Sequence, residues 1–119
     1  MAEWIFVCQS ADLPERGRTC VDVGGRKAVV LRVDATVYAL DAECPHRGAD
    51  LSVGDLDGFH LYCPLHAWSF DVRSGWAFFP AGSDTWVYQV REVDGRVELS
   101  PTLSRPSRQT WRPPLVADT

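Results

Sequence analysis

Two short stretches of this chain have the residue types and spacing to hold a metal: Cys44-Pro45-His46 and, after sixteen intervening residues, Cys63-Pro64-Leu65-His66. Each offers one thiolate and one imidazole. Thiolates stabilise ferric iron and bridge well to inorganic sulfide, whereas neutral imidazole is the weaker donor and leaves its iron easier to reduce. Two mixed pairs therefore suit a two-iron cluster with one Cys₂ iron and one His₂ iron. Zinc is the competing metal, since Cys₂His₂ can close a tetrahedral structural site. Zinc sites usually pair Cys with Cys and His with His at short range, and here each pair is mixed.

The other chemistry-bearing residues have plainer readings. His60, three residues before Cys63, reads as a surface or strand-edge side chain, and Arg47 as a solvated charge or a partner contact. Cys8 and Cys20 have no other candidate ligand nearby in sequence and read as inert thiols. Trp68, Trp76, Phe78 and Phe79 read as an apolar lid over the metal loops. Glu43, Asp50, Asp55 and Asp57 read as solvated loop charges, with an acidic docking face as the alternative reading.

The elements that must position the candidate ligands are strands. Residues 4–8, 19–23, 27–33 and 37–41 are short apolar or alternating runs, with Gly24-Gly25 and Asp34-Ala35 as turns between them. Residues 86–93 and 96–99 form a hairpin around Asp94-Gly95. The middle breaks this pattern. Residues 43–50 and 61–68 hold the Cys and His residues among Pro and Gly and have no clear period. Between them 54–58 is rich in turn residues and 59–62 fits a short strand. Residues 69–72 then lead to a turn at Arg73-Ser74-Gly75. No helix with good caps is found. This predicts an all-β antiparallel sandwich or barrel with two irregular loops. The division expected is a domain over 1–100, with a metal-binding subdomain at about 43–81, and a Pro- and Arg-containing tail over 101–119.

At 119 residues the chain fits one domain, and a hydrophobic fraction of 45% supplies one modest core. It has no apolar run long enough to span a membrane and no basic leader followed by an apolar stretch, so the expected location is the cytoplasm. There four cysteines beside histidines point to metal rather than disulfides. The net charge is −4. Arg105, Arg108 and Arg112 against Asp118 make the tail locally +2, leaving the body at about −6. An acidic body argues against nucleic acid and suits a basic patch on a partner protein.

Cys44-Pro-His46-Arg-Gly48 and Cys63-Pro-Leu-His66-Ala-Trp-Ser-Phe-Asp71, with Gly75 following, resemble the Rieske [2Fe–2S] family. The resemblance implies one [2Fe–2S] cluster, with Cys44 and Cys63 on the buried iron and His46 and His66 on the outer one. It also implies a Rieske-like β-fold with an inserted cluster-binding subdomain, and a covering loop at Pro80. The respiratory branch of the family adds a disulfide between its ligand loops, but the matching positions here are Ala49 and Leu65. That branch also has hydroxyl donors where this chain has Trp68 and Phe70. Fewer donors to sulfur stabilise the added electron less, so a potential of about −150 mV, low in the Rieske range, is expected. Ala67 stands where relatives commonly have Gly.

Ring-hydroxylating members of the family need a second iron site in a further domain, and two of the three histidines here are already taken. The chain is therefore read as an electron-transfer component rather than an enzyme. The leading expectation is a soluble one-electron carrier from a flavin reductase to an oxygenase. The small subunit of an NAD(P)H-dependent nitrite reductase is the alternative, and a zinc-stapled binding module with no redox role is the alternative of another class.

Overall fold

The computed structural model describes residues 4–43, 50–64, 68–79 and 85–104. The strands are β1 (Ile5–Gln9), β2 (Arg18–Val23), β3 (Arg26–Val33), β4 (Thr36–Asp41), β5 (Leu56–Asp57), β6 (His60–Tyr62), β7 (Ser69–Asp71), β8 (Ala77–Phe79), β9 (Val87–Val93) and β10 (Arg96–Ser104). Short 3-10 turns follow β1 and precede β5, and the described residues contain no α-helix. A six-stranded antiparallel sheet runs β1-β10-β9-β4-β3-β2 and curls into a nearly closed barrel. A four-stranded sheet, β5-β6-β7-β8, is inserted between β4 and β9. The all-β architecture expected from the sequence is thus the one observed.

Tight hairpins set the register of the large sheet. Gly24 and Gly25, Asp34 and Ala35, and Asp94 and Gly95 all have positive φ, the conformation that matches the twist of paired strands. Ala35 adopts it (φ 67) without being glycine, at a cost of about 1 kcal/mol. Glu15 offsets part of that cost, because its carboxylate accepts hydrogen bonds from the amides of Asp34 (2.6 Å) and Ala35 (2.8 Å). Those two bonds hold the Glu15 carboxyl below its ordinary pKa.

β3 differs from the half-buried strand its composition suggests, since Ala28, Val29, Val30 and Leu31 are all fully buried. Ala28 and Val30 pack inside the barrel with Val37, Ala39, Val97 and Leu99. Val29, Leu31 and Val33 face the other way, against Leu51, Leu61, Phe70 and Val72 of the inserted unit. Side chains alternate across a strand, so one strand serves two cores, and each fully buried Leu or Phe contributes about 1.5–3 kcal/mol.

Other departures are local. β5 and β8 form where no strand was expected, because two or three residues carry no readable period. β10 continues through Pro101 to Ser104, beyond the expected end of regular structure at about residue 100. Its pairing with β9 shifts register between Leu99 and Leu103, which excuses Pro101 from donating to the ladder. Of the tail, 105–119 lies outside the described residues.

Candidate metal centre

Of the expected ligands, Cys63 is described; Cys44, His46 and His66 lie outside the described residues, as do Arg47, Ala49, Leu65, Ala67 and Pro80. The structure does show the necks from which their loops spring. The first loop, 44–49, leaves at Glu43 and returns at Asp50, which pair as an isolated antiparallel bridge. The amide of Leu51 closes that neck by donating to the Ala42 carbonyl at 2.7 Å. Asp50 accepts from the amide and hydroxyl of Ser52 at 2.9 and 2.6 Å, which caps the 3-10 turn Leu51–Val53 and pushes the Asp50 carboxyl pKa down.

The second neck tops the β6–β7 hairpin. Tyr62 pairs with Ser69, and the Cys63 amide donates to the Trp68 carbonyl at 2.7 Å. The end of β8 lies beside the same neck, since Phe79 pairs with Ser69. Where the described chain resumes, the Thr85 amide donates to the Gly75 carbonyl at 2.8 Å. Gly75 has φ +77, and a Cβ there would lie 2.5 Å from the Thr85 carbonyl oxygen, so only glycine fits.

The two loop necks are in direct contact. The Tyr62 amide donates to Asp55 (2.8 Å) and the Gly54 amide to Leu51 (3.1 Å). A Cβ on Gly54 would stand 1.7 Å from the Tyr62 carbonyl oxygen, a closeness only a missing side chain permits. Cys63 sits at this junction, 3% exposed, among Leu51, Leu61, Phe70 and Val72. It also opens on a cleft of about 430 Å³ lined with Val53, Asp55, Tyr62 and Pro64. A buried thiol with an apolar floor, between two closed loop necks carrying the remaining Cys and His residues, suits a cluster held from both sides. The donor set and the necks fit the group.

The surrounding residues mostly have structural work. Asp71 is buried; it accepts from the Arg73 amide (2.8 Å) and forks with the Arg73 guanidinium (3.0 and 2.8 Å), making the turn that ends β7. Arg73 in turn lies 4.1 Å over the Phe59 ring, which meets Tyr38 edge-on at 6.2 Å. This stack ties the inserted sheet to β4 and was not visible in the sequence. Phe70 is fully buried beside Cys63, while Trp68 and Trp76 are half-buried, and Trp68 packs on the same core.

His60 is corrected. It is half-buried on the interior strand β6, opposite both Asp57 and Asp71, rather than at a strand edge or on the surface. Cys8 is half-buried and Cys20 exposed; neither is in a disulfide, and desolvation foremost raises both thiol pKa values, which keeps them protonated. Beside the first neck, Val53 is 69% exposed, an apolar side chain among Asp50, Asp55 and Asp57.

A barrel with an inserted four-stranded sheet, whose adjoining loops carry paired Cys and His residues, defines an all-β iron–sulfur protein. The sequence matches the Rieske [2Fe-2S] domain over residues 3–89, and the chain belongs to that family. Its cofactor is a single Rieske-type [2Fe–2S] cluster. The chain is 36% identical over 97 residues to the ferredoxin component of the naphthalene 1,2-dioxygenase/salicylate 5-hydroxylase systems of Ralstonia sp., covering 81% of this chain and 93% of that one. It is 31% identical over 97 residues to the ferredoxin component of the alkene monooxygenase system of Xanthobacter autotrophicus, covering 80% and 79%.

Among solved structures, the ferredoxin of carbazole 1,9a-dioxygenase from Nocardioides aromaticivorans superposes with a TM-score of 0.78 at 28% identity, over 83% of this chain and 98% of that one. A chain from a complex of reduced oxygenase and oxidised ferredoxin in carbazole 1,9a-dioxygenase gives 0.80 at 30% identity, over 87% and 97%.

Proposed function

We propose that this chain is a one-electron carrier that delivers electrons to an oxygenase, through a cluster held by Cys44, His46, Cys63 and His66. When bound, the [2Fe–2S] group supplies a one-electron couple; the protein supplies its seat and its exposure. The observation that carries the ligand assignment is the junction of the two loop necks at Gly54 and Tyr62 beside the buried Cys63. Cys63 is screened from water by Leu51, Leu61 and Phe70, which suits an inner ligand. His46 and His66 are assigned to the outer iron, the one a partner would approach. The inserted subdomain, about 43–81, is then the redox unit and 1–100 the domain.

The oxygenase partner is inferred from ferredoxin relatives matched over nearly their whole length. The electron source is a flavin-dependent reductase. The acidic body suits docking on cationic surfaces of both partners. No helix among the described residues is long and apolar enough to cross a membrane, and the cytoplasm is the proposed location.

The test is reconstitution. The purified protein is mixed with NADH, a flavin-dependent ferredoxin reductase and a ring-hydroxylating oxygenase. Product formation that depends on this chain, and falls as salt rises, supports the reading. Reduction by the reductase with no turnover by oxygenases, but with turnover of nitrite by a nitrite reductase large subunit, contradicts it.

A further inference from the structure

The edges of the two sheets are joined by two arginines. β2 is one edge of the large sheet and β5 one edge of the small sheet. An edge strand leaves alternate carbonyls unpaired. Asp55 turns its carbonyl inward to Tyr62, so on an extended chain the carbonyls of Gly54 and Leu56 turn outward. Both meet a guanidinium: Arg18 donates to the Gly54 carbonyl and Arg16 to the Leu56 carbonyl. The donors are two residues apart, the acceptors are two residues apart, and the two pairs run in opposite directions.

The arginines are themselves braced. Arg16 holds φ +65 in the turn before β2, its amide donates to Arg32 (2.8 Å) and the Gly17 amide to Pro14 (2.8 Å). A side chain on Gly17 would meet the Pro14 ring at 2.8 Å, so the turn has little freedom.

We propose that Arg16 and Arg18 form a two-point clamp that fixes the metal-binding subdomain on the barrel, and so act as positioning residues for the ligand loops. This rests on the reading that 44–49 and 65–67 carry ligands. The clamp acts through Gly54, the residue that presses on Tyr62 and so links the two necks. Holding the Gly54 carbonyl from the barrel side keeps its backbone against Tyr62 and keeps Cys63 at the closed end of its loop. Charge-assisted bonds to carbonyls are the strong kind, and Arg18 is the better shielded of the two, so its share is the larger.

The test uses the full chain with its cluster, as wild type, Arg16→Gln, Arg18→Gln, the double variant and Arg18→Lys. Amide exchange is followed by mass spectrometry in peptides spanning 50–57 and 60–64, with 28–31 and 97–99 as barrel controls. Cluster release to a ferrous-iron chelator is followed by visible absorption. The double variant is expected to exchange in 50–57 and 60–64, and to release iron, about tenfold faster, the size of one charge-assisted hydrogen bond. The barrel peptides stay unchanged, and Arg18→Lys recovers part of the loss.

Wild-type rates in both assays overturn the clamp. A uniform rise that includes the barrel peptides also overturns it, because the arginines then serve only global stability. If wild type carries no iron or sulfide, the metal reading fails, and the exchange data still decide whether the clamp exists.

Discussion

Replacing Gly54 by alanine tests the junction of the two loop necks most sharply. Gly54 has φ −79 and ψ 167, a conformation open to any residue, so the objection to a side chain is space alone. The added Cβ would stand 1.7 Å from the Tyr62 carbonyl oxygen, where real contacts stay beyond 3.0 Å, so the two backbones must part by at least 1.3 Å. Neither atom belongs to a flexible side chain. That movement strains or breaks the Tyr62–Asp55 hydrogen bond at 2.8 Å and pulls on the clamp at the Gly54 carbonyl. Overpacking of about 1–3 kcal/mol and one lost backbone hydrogen bond of about 1 kcal/mol give a cost of about 2–4 kcal/mol. At ~4 °C per kcal/mol for a domain of this size, the melting temperature falls by about 8–16 °C. Calorimetry gives the transition, and visible absorption during heating gives the cluster. Gly58→Ala is the control, since nothing lies within 4 Å of its Cβ and its φ of +60 costs only backbone strain, about 1 kcal/mol. A Gly54→Ala protein that melts with wild type, or that loses its cluster no earlier than Gly58→Ala, refutes the reasoning.

Phe70→Tyr adds a hydroxyl at a fully buried position beside Cys63. If the missing hydroxyl keeps the potential low, voltammetry shows a rise of about 40 mV for each ~1 kcal/mol by which the new bond favours the reduced state, and an unchanged potential rejects that account. Ala35→Gly relieves a positive φ of 67 and is expected to raise stability by about 1 kcal/mol in urea unfolding; a loss of stability means that the turn is not strained. Arg32 donates to both oxygens of Glu92 (3.1 and 2.6 Å), which holds the Glu92 carboxyl below its ordinary pKa. Its contribution is therefore complete above about pH 4.3 and is lost as pH falls through the lower folded-state value. Glu92→Gln should lower the melting temperature at pH 7 and lose that deficit in acid; a deficit that persists in acid points to packing rather than charge.

What the sequence made legible was whatever it encoded locally. Gly24-Gly25 and Asp94-Gly95 announce hairpins by the φ they allow, and the turns are where they were expected. The paired Cys and His residues announce a metal by type and spacing. The double burial of β3 was missed, because a continuous apolar run reads the same whether one face or two are covered. Asp71 closes the second metal-binding stretch in the sequence, but its bonds to Arg73 show a turn-forming role. Arg16 and Arg18 were unreadable: their partners are carbonyls some forty residues away, and a carbonyl leaves no mark on the identity of its residue. His60 was misplaced because a three-residue strand gives no period from which to tell an edge from an interior.

The central claim is one [2Fe–2S] cluster held by Cys44, His46, Cys63 and His66. Low-temperature EPR of the dithionite-reduced protein, with iron and sulfide counted on the same sample, tests it most directly. The account predicts equal iron and acid-labile sulfide, a single reduced-cluster signal with the low average g of a histidine-ligated centre, and loss of that signal in Cys63→Ser and His66→Ala. A colourless, EPR-silent protein carrying zinc, or an unchanged signal in either variant, contradicts it.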